Sequence, residues 1–290
     1  MIKTVKTVTR RRKTLLTVLT ALTVLTVLTV CFFAVTIFKR KPSTERHWAP
    51  DQALPAASLV DSHVATIRNV RNFRYPSGVA VPGYYDARYD LDSLETAWFV
   101  LTTFSKKWRV PAHTFVSFGF AGGRYLAISV EARREAGQTY GIIAGMLRNY
   151  ELIYIIGDER DLIGRRAVAE GDNTYLYPVN APTERIRELF VAMLARANQL
   201  QQHPEFYNSI LNSCVTNLVA HVNRVVPGRI PASWKVLVPG YADDVALGLG
   251  LIQAGGSLEA SRQQFLINDR ARAAMASDSF SMLIREPVYP

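Results

Sequence analysis

The chain has 290 residues, with 34 Lys and Arg against 24 Asp and Glu, two Cys, and 49% hydrophobic content. A net charge of +10 spread evenly would suggest a nucleic-acid partner, but nine of the basic residues lie in residues 1–41, which hold no acid, leaving 25 basic against 24 acidic in residues 42–290. No electrostatic grip on nucleic acid is expected of so neutral a remainder, and 13 Tyr, 13 Phe and 4 Trp in a chain only 20% charged exclude disorder for its bulk.

Leu15 to Phe38 is an uncharged run of Leu, Val and Thr. As a helix rising about 1.5 Å per residue it reaches roughly 36 Å, enough to cross a bilayer with some tilt. Thr14, Thr17, Thr20, Thr23, Thr26 and Thr29 are tolerable there, because a threonine hydroxyl can bond a carbonyl one turn back. Six basic residues precede the run and Lys39, Arg40 and Lys41 follow it. The heavier side stays cytoplasmic by the positive-inside rule. The run exceeds a cleavable signal's apolar region of about 7–15 residues. The expected organisation is a cytoplasmic basic tail (1–13), an uncleaved transmembrane signal anchor (14–38), a linker (39–60), a main exported domain (61–228) and a helical C-terminal extension (229–290), so that the chain crosses one membrane once.

Further along, Ala65–Tyr75 reads as a strand with Arg interleaved, residues 76–86 as turn-rich, and Ala97–Phe104 as an apolar strand. His113–Phe120 and Tyr125–Arg133 alternate around Gly122-Gly123 and read as a hairpin. Tyr150–Ile156 is an apolar strand, Asp158–Asp161 a charged turn, and Thr174–Val179 a short strand. The period then changes to that of helices over Thr183–Gln201 and Ser213–Val226, with two more short helices expected after Tyr241. Strands followed by helices imply an α+β fold, an antiparallel sheet packed on helices.

The hairpin fixes its own register, because a one-residue slip would turn its apolar residues to the wrong face. Pairing Val116 with Ile128 and Phe118 with Leu126 leaves a three-residue loop, Ala121-Gly122-Gly123. The same register sets His113 across from Glu131, with Ser129 beside them, on what reads as the more polar side of the sheet. A carboxylate there can fix an imidazole tautomer and stabilise the imidazolium. Alternatively the pair is an ordinary cross-strand contact.

Cys214 is the one Cys outside the apolar run, since Cys31 lies within it. A lone thiol in an exported chain marks a reactive or intermolecular cysteine, or else an inert core residue. It begins the stripe Val215, Leu218, Val219, Val222 and Val226, after the capping residues Asn212 and Ser213. A thiol in a helix's first turn feels the positive dipole end, which favours thiolate. Nucleophile Cys214, base His113 and orienting carboxylate Glu131 together make a thiol site. Their chain order reverses that of papain. The other His residues are isolated and neither HExxH nor CxxC occurs, so no metal and no cofactor are expected.

Several ordered blocks then carry a resemblance. They are Ile67–Phe73, Tyr89-Asp90-Leu91, Ala112–Phe120, Ser129–Glu135, Tyr150–Tyr154, Asp158–Asp161 and Phe206-Tyr207-Asn208 leading to Asn212-Ser213-Cys214. Over about residues 67–223 the chain resembles the bacterial Lnb N-terminal periplasmic domain family. The resemblance implies a permuted papain-like (NlpC/P60-like) thiol domain over 61–228, periplasmic and anchored in a bacterial inner membrane, and a part in lipoprotein N-acylation, with His113 as base, Cys214 as nucleophile and Glu131 as third member. The family often has Asn directly before the Cys; here Ser213 stands between Asn212 and Cys214. Tyr207, Ser129, Asn212 and Ser213 are candidate positioning residues, and Arg160 either pairs with Glu151 or holds an anionic head group. A membrane lipid or lipoprotein is the expected substrate. A cysteine amidase acting on cell-wall peptides, or an inactive binding or assembly domain, are the other readings. Oligomeric state is not legible.

Overall fold

The computed structural model describes residues 2–105, 107–253 and 255–286. Met1 of the basic tail and the last four residues of the C-terminal extension lie outside these. Two compact units divide the chain, residues 1–42 and residues 43–290.

The first unit is one helix, α1 (Ile2–Phe38), which includes the basic tail as well as the apolar run. Its window Leu16–Phe33 has a mean hydropathy of 2.3 and is long and apolar enough to cross a membrane. Thr20, Thr23, Thr26 and Thr29 each donate to the carbonyl four residues back, at 2.8–2.9 Å. These bonds satisfy the hydroxyls inside the helix, which is what hydrocarbon requires of polar groups.

The second unit contains an eight-stranded sheet: β1 (Ala57–Asp61), β2 (Val64–Arg71), β3 (Tyr84–Asp90), β4 (Leu94–Thr103), β5 (Ala112–Phe120), β6 (Arg124–Arg133), β7 (Glu151–Gly157) and β8 (Asn173–Pro178). The strand order is β1-β2-β7-β6-β5-β4-β8, with β3 also paired to β2. Only the short β2–β7 contact is parallel. Among the helices are α2 (Ile142–Met146), α3 (Glu159–Gly164), α4 (Thr183–Gln202), α5 (Cys214–Val225), α6 (Ala242–Gly248), α7 (Leu258–Phe265), α8 (Asn268–Ala274) and α9 (Phe280–Leu283). The unit is therefore mixed α+β, with the sheet packed on helices.

Both faces of the sheet are covered. Val116, Phe118, Leu126, Ile128 and Tyr154 pack against Ile186, Phe190, Met193 and Leu194 of α4, and Cys214 of α5 joins this core. On the reverse face Phe115, Ala127, Ile153 and Ile155 pack against Leu162 and Ile163 of α3, Ala271 of α8 and Phe280 of α9. The alternation of residues 113–119 thus separates two buried faces rather than a buried and a polar one. Ser117, on the second face, is fully buried and donates to Glu159, which Arg285 also holds at 2.6 Å.

The hairpin register is as the alternation requires: Val116 pairs with Ile128 and Phe118 with Leu126. Gly122 and Gly123 turn the chain at φ +77° and +73°, a conformation that disfavours side chains with a Cβ. α4 and α5 occupy the expected stretches to within one residue.

Other boundaries differ from expectation. Residues 43–60 are not a linker but part of the second unit. Trp48 is buried beneath the Arg133 guanidinium, 4.1 Å from its ring centre. Arg133 in turn donates to the Gln52 and Ala53 carbonyls. Residues 229–286 are likewise not a separate extension, because Ile252, Ile267, Ala271, Phe280 and Ile284 complete the core. Among the described residues four short helices follow Tyr241 rather than two. The turn-rich stretch already contains the start of β3, and the charged turn at Asp158 opens α3, with Asp158 as its cap.

A buried ion pair ties β2 to α3. Asp161 accepts from Arg71 Nε at 2.8 Å and Nη2 at 3.0 Å, from the Phe73 amide and from the Tyr75 hydroxyl. Asp161→Ala leaves the 3%-exposed Arg71 charge uncompensated and should destabilise the unit by about 3–5 kcal/mol in chemical denaturation. A loss below about 1 kcal/mol would show that the pair does not hold β2 to α3.

Candidate active site

The β5–β6 ladder ends at Phe115↔Ser129. Beyond that pair β5 continues along β4 to Ala112, and β6 continues along β7 to Arg133. The two strands part, and a cavity of about 150 Å³ lies in the gap. Ala112 and His113 line one side and Val130, Glu131 and Ala132 the other, with Cys214, Tyr207, Tyr140, Arg165 and Arg166 among the remaining walls.

His113 and Cys214 reach this cavity from different faces. Successive side chains on a strand point to opposite sides. His113, two residues before Phe115, shares its face on the α3 side, the two rings 5.7 Å apart. Cys214 belongs to the core on the α4–α5 side. The parting of the strands opens a space that both line. Among the described residues no hydrogen bond joins them.

The imidazole is held as a relay. His113 Nε2 lies 2.7 Å from Ser129 Oγ, which donates to Glu131 Oε1 at 3.0 Å. Nε2 and Oε1 themselves are 3.9 Å apart. Glu131 therefore stands across from His113 as the register implies, with the Ser129 hydroxyl inserted between them. A hydroxyl has one proton. If it is given to Glu131, Ser129 must accept from Nε2–H, and the basic nitrogen of the neutral ring is Nδ1.

The charges around the relay favour that state. Burial lowers His113 from its ordinary value to about 4, against the opposing pull of Glu131 and helped by Arg166 and Arg165. Burial would raise Glu131, but His113 and the guanidinium groups of Arg166, Arg71 and Arg165 hold its carboxyl well below the usual range. Gln52 Nε2 also donates to Glu131 Oε2 at 3.1 Å.

The thiol departs from expectation. Burial pushes the Cys214 thiol up, outweighing the neighbouring Thr114 amide and hydroxyl and the Val215 amide, which favour thiolate. The position at the helix start is as expected, but at 2% exposure desolvation exceeds what a helix terminus supplies. The resting site is a neutral thiol and a neutral imidazole lining one cavity.

Ser213 is the α5 cap, forming a capping box with Thr216. Asn212 sits behind it, accepting from Asn217 Nδ2 at 2.8 Å and donating to the Phe206 carbonyl at 3.0 Å. Neither lines the cavity; they hold the turn that presents Cys214. Tyr207 lines the cavity, its hydroxyl 3.5 Å from that of Tyr140. Arg160 does not pair with Glu151. It reaches the Ser277 carbonyl at 3.2 Å and Asp278 at 3.5 Å, because α3 directs it toward the C-terminal segment. Glu151 pairs instead with Arg46 at 2.9 Å. His221 is buried two turns along α5, 2.8 Å from the Tyr154 hydroxyl, away from the cavity.

Sequence reasoning missed Gln52, Tyr140, Thr114, Arg165 and Arg166. Gln52 lies in the supposed linker. The two arginines lie on a single π-helical turn, Arg165–Ala169, which continues α3; their adjacency was the one available signal. Among the described residues no cluster of three or more His, Cys, Asp or Glu is placed to hold a metal ion.

The chain thus joins an apolar N-terminal helix to a mixed α+β unit that holds a buried thiol and a His–Ser–Glu chain of contacts. The model of the Lnb N-terminal periplasmic domain matches residues 80–240, more than half the chain, and the chain belongs to that family. The family and the apolar helix together fit a single-pass membrane protein with a periplasmic domain. No curated protein and no solved structure matches the chain significantly.

His113 and His221 are both held neutral by burial, each lowered to about 4. Unfolded, each titrates near 6.5. Their contribution to stability is complete above about pH 6.5 and is lost as pH falls toward 4. Between pH 7 and 4.5 the wild type should lose about 2 kcal/mol more than His221→Gln in chemical denaturation. Equal losses would mean that His221 is already charged in the folded state.

Proposed function

We propose that this chain is a membrane-anchored periplasmic thiol acyltransferase, moving an acyl chain to an amine of a lipoprotein or lipid through an acyl-thioester on Cys214. The observation that carries the reading is the shared cavity: Cys214, His113 and Glu131 line one space at the strand gap. The family match supports an envelope role. The parting of β5 and β6 is compatible with a permuted papain-like arrangement, in which base and carboxylate precede the thiol along the chain.

The chemistry follows from the neutral resting state. His113 Nδ1 takes the thiol proton as Sγ attacks the carbonyl carbon of an acyl ester. Glu131, through Ser129, stabilises the imidazolium that forms. The Val215 amide at the helix start is a donor for the developing oxyanion. The C–O bond then breaks, and the imidazolium protonates the departing alkoxide. An amine attacks the thioester, His113 takes its proton, and the C–S bond breaks to restore the thiol.

A second observation favours acyl transfer over peptide hydrolysis. An apolar cavity of about 200 Å³ lies along α5, walled by Val215, Leu218, Val219, Val222 and Ile186. A cavity of about 150 Å³ takes up benzene, so this one accepts a hydrocarbon segment of roughly eight carbons. Its wall begins one residue after Cys214.

In cells, Cys214→Ala should leave lipoprotein N-termini without the transferred chain by mass spectrometry, with muropeptides unchanged. Altered muropeptides with normal lipoproteins would support the amidase reading, and no change in either would support an inactive domain. Ser129→Ala should lower turnover about 10–100-fold, the range of a weakened general base. An unchanged rate would remove the relay from the mechanism.

A further inference from the structure

The mouth of the strand gap carries apolar side chains that stay exposed among the described residues. Phe104 lines the cavity at the end of β4, and the loop beyond it exposes Trp108 (72%) and Val110. Tyr140 and Tyr207 line the opposite side. Directly after Tyr140, α2 and its end expose Ile143 (68%) and Leu147; shortly after Tyr207, the turn before Cys214 exposes Leu211 (76%). Ser209 Oγ donates to the Ile142 carbonyl at 2.8 Å, so these last two segments form one lip. The Asn208 side chain accepts from the Ile210 and Leu211 amides, which fixes the turn with Leu211 outward.

The charge of these segments is one-sided. Residues 104–111, 139–149 and 207–214 contain no Asp or Glu but include Lys106, Lys107, Arg109 and Arg148. This is selective, because the chain as a whole has 24 acidic residues. Glu205, two residues before Tyr207, flanks the second lip, accepting from Asn212 at 3.3 Å, and is paired there with Arg196 at 2.6 Å.

We propose that the two lips are a membrane-docking surface that seats the cavity mouth on an anionic bilayer. Apolar side chains with a Trp enter the interface, and basic groups meet lipid phosphates. Only residues 39–42 separate α1 from the second unit, a reach of roughly 14 Å when fully extended. An apolar surface whose own segments carry only basic charges, with the flanking Glu205 paired to Arg196, fits an anionic phospholipid interface better than a protein partner, whose recognition normally draws on charges of both signs. Docking lets an acyl chain pass from bilayer to cavity without crossing water.

The test uses the full-length chain in vesicles of phosphatidylethanolamine and phosphatidylglycerol doped with a phospholipid carrying an acyl-chain diazirine. After photolysis, label is mapped by mass spectrometry, with α1 as internal control. The expected result is label on Trp108, Ile143 and Leu211 at least five-fold above Leu59 and Val79. An Ile143→Glu/Leu211→Glu variant with unchanged melting temperature should lose label from both lips. Label confined to α1, or equal on the lips and on Leu59 and Val79, overturns the proposal. So does crosslinking of the lips to an envelope protein in cells in place of lipid. Because lipoprotein acylation is not the readout, failure here leaves the thiol chemistry standing, and failure of the thiol chemistry leaves the docking measurable.

Discussion

Strands β5 and β6 stay paired from the hairpin loop to Phe115↔Ser129 and then separate. A continuous ladder would seal His113 under α3 on one face and Cys214 under α5 on the other. Each residue past the last pair owes its place to that separation. The Ser129 hydroxyl sits at the final rung and crosses the opening gap to His113. Glu131 is two residues further, close enough to share the same hydroxyl. Thr114, on the face opposite His113, keeps its polar groups beside the sulfur. Its hydroxyl is buried and, among the described residues, has no close hydrogen-bond partner. Orphaned buried hydroxyls are costly, and this one stands where a thiolate would form.

The charges beneath the gap set its chemical state. Arg165 reaches Asp51 at 3.0 Å and Glu170 at 2.7 Å, and Arg166 reaches Glu170 at 2.6 Å. These pairs fix two guanidinium groups near Glu131 without neutralising it. The carboxylate stays ionised while the ring stays neutral, so Ser129 has a defined direction of donation. A site of this kind stores no ion pair at rest. In the proposed mechanism the thiolate forms only as the proton moves, with the imidazolium and Glu131 stabilising each other.

Much of this was legible where periodicity is strict. Val116, Phe118, Leu126 and Ile128 determine one register and no other, and His113 and Glu131 follow from it. The stripe from Val215 to Val226 places Cys214 at a helix start, and the caps agree. The faces were harder. Alternation separates His113 from Thr114 but does not say which helix covers which face, and both faces prove to be buried. The supposed linker hid Gln52, since Pro42, Pro50 and Pro55 read as an extended tether while Trp48 and Ala56 bury themselves beside β6 and α4. The thiol's ionisation was misjudged because a helix terminus is visible in a sequence and depth of burial is not.

That Cys214 carries an acyl group during turnover is tested most directly by trapping it. Purified full-length chain is incubated with phospholipid in the absence of an amine acceptor, quenched in acid and weighed intact. One added acyl mass on the peptide containing Cys214, removed by neutral hydroxylamine and absent from Cys214→Ser under the same treatment, is the expected result. No adduct under any lipid, or an adduct on another residue that survives Cys214→Ser, would contradict it.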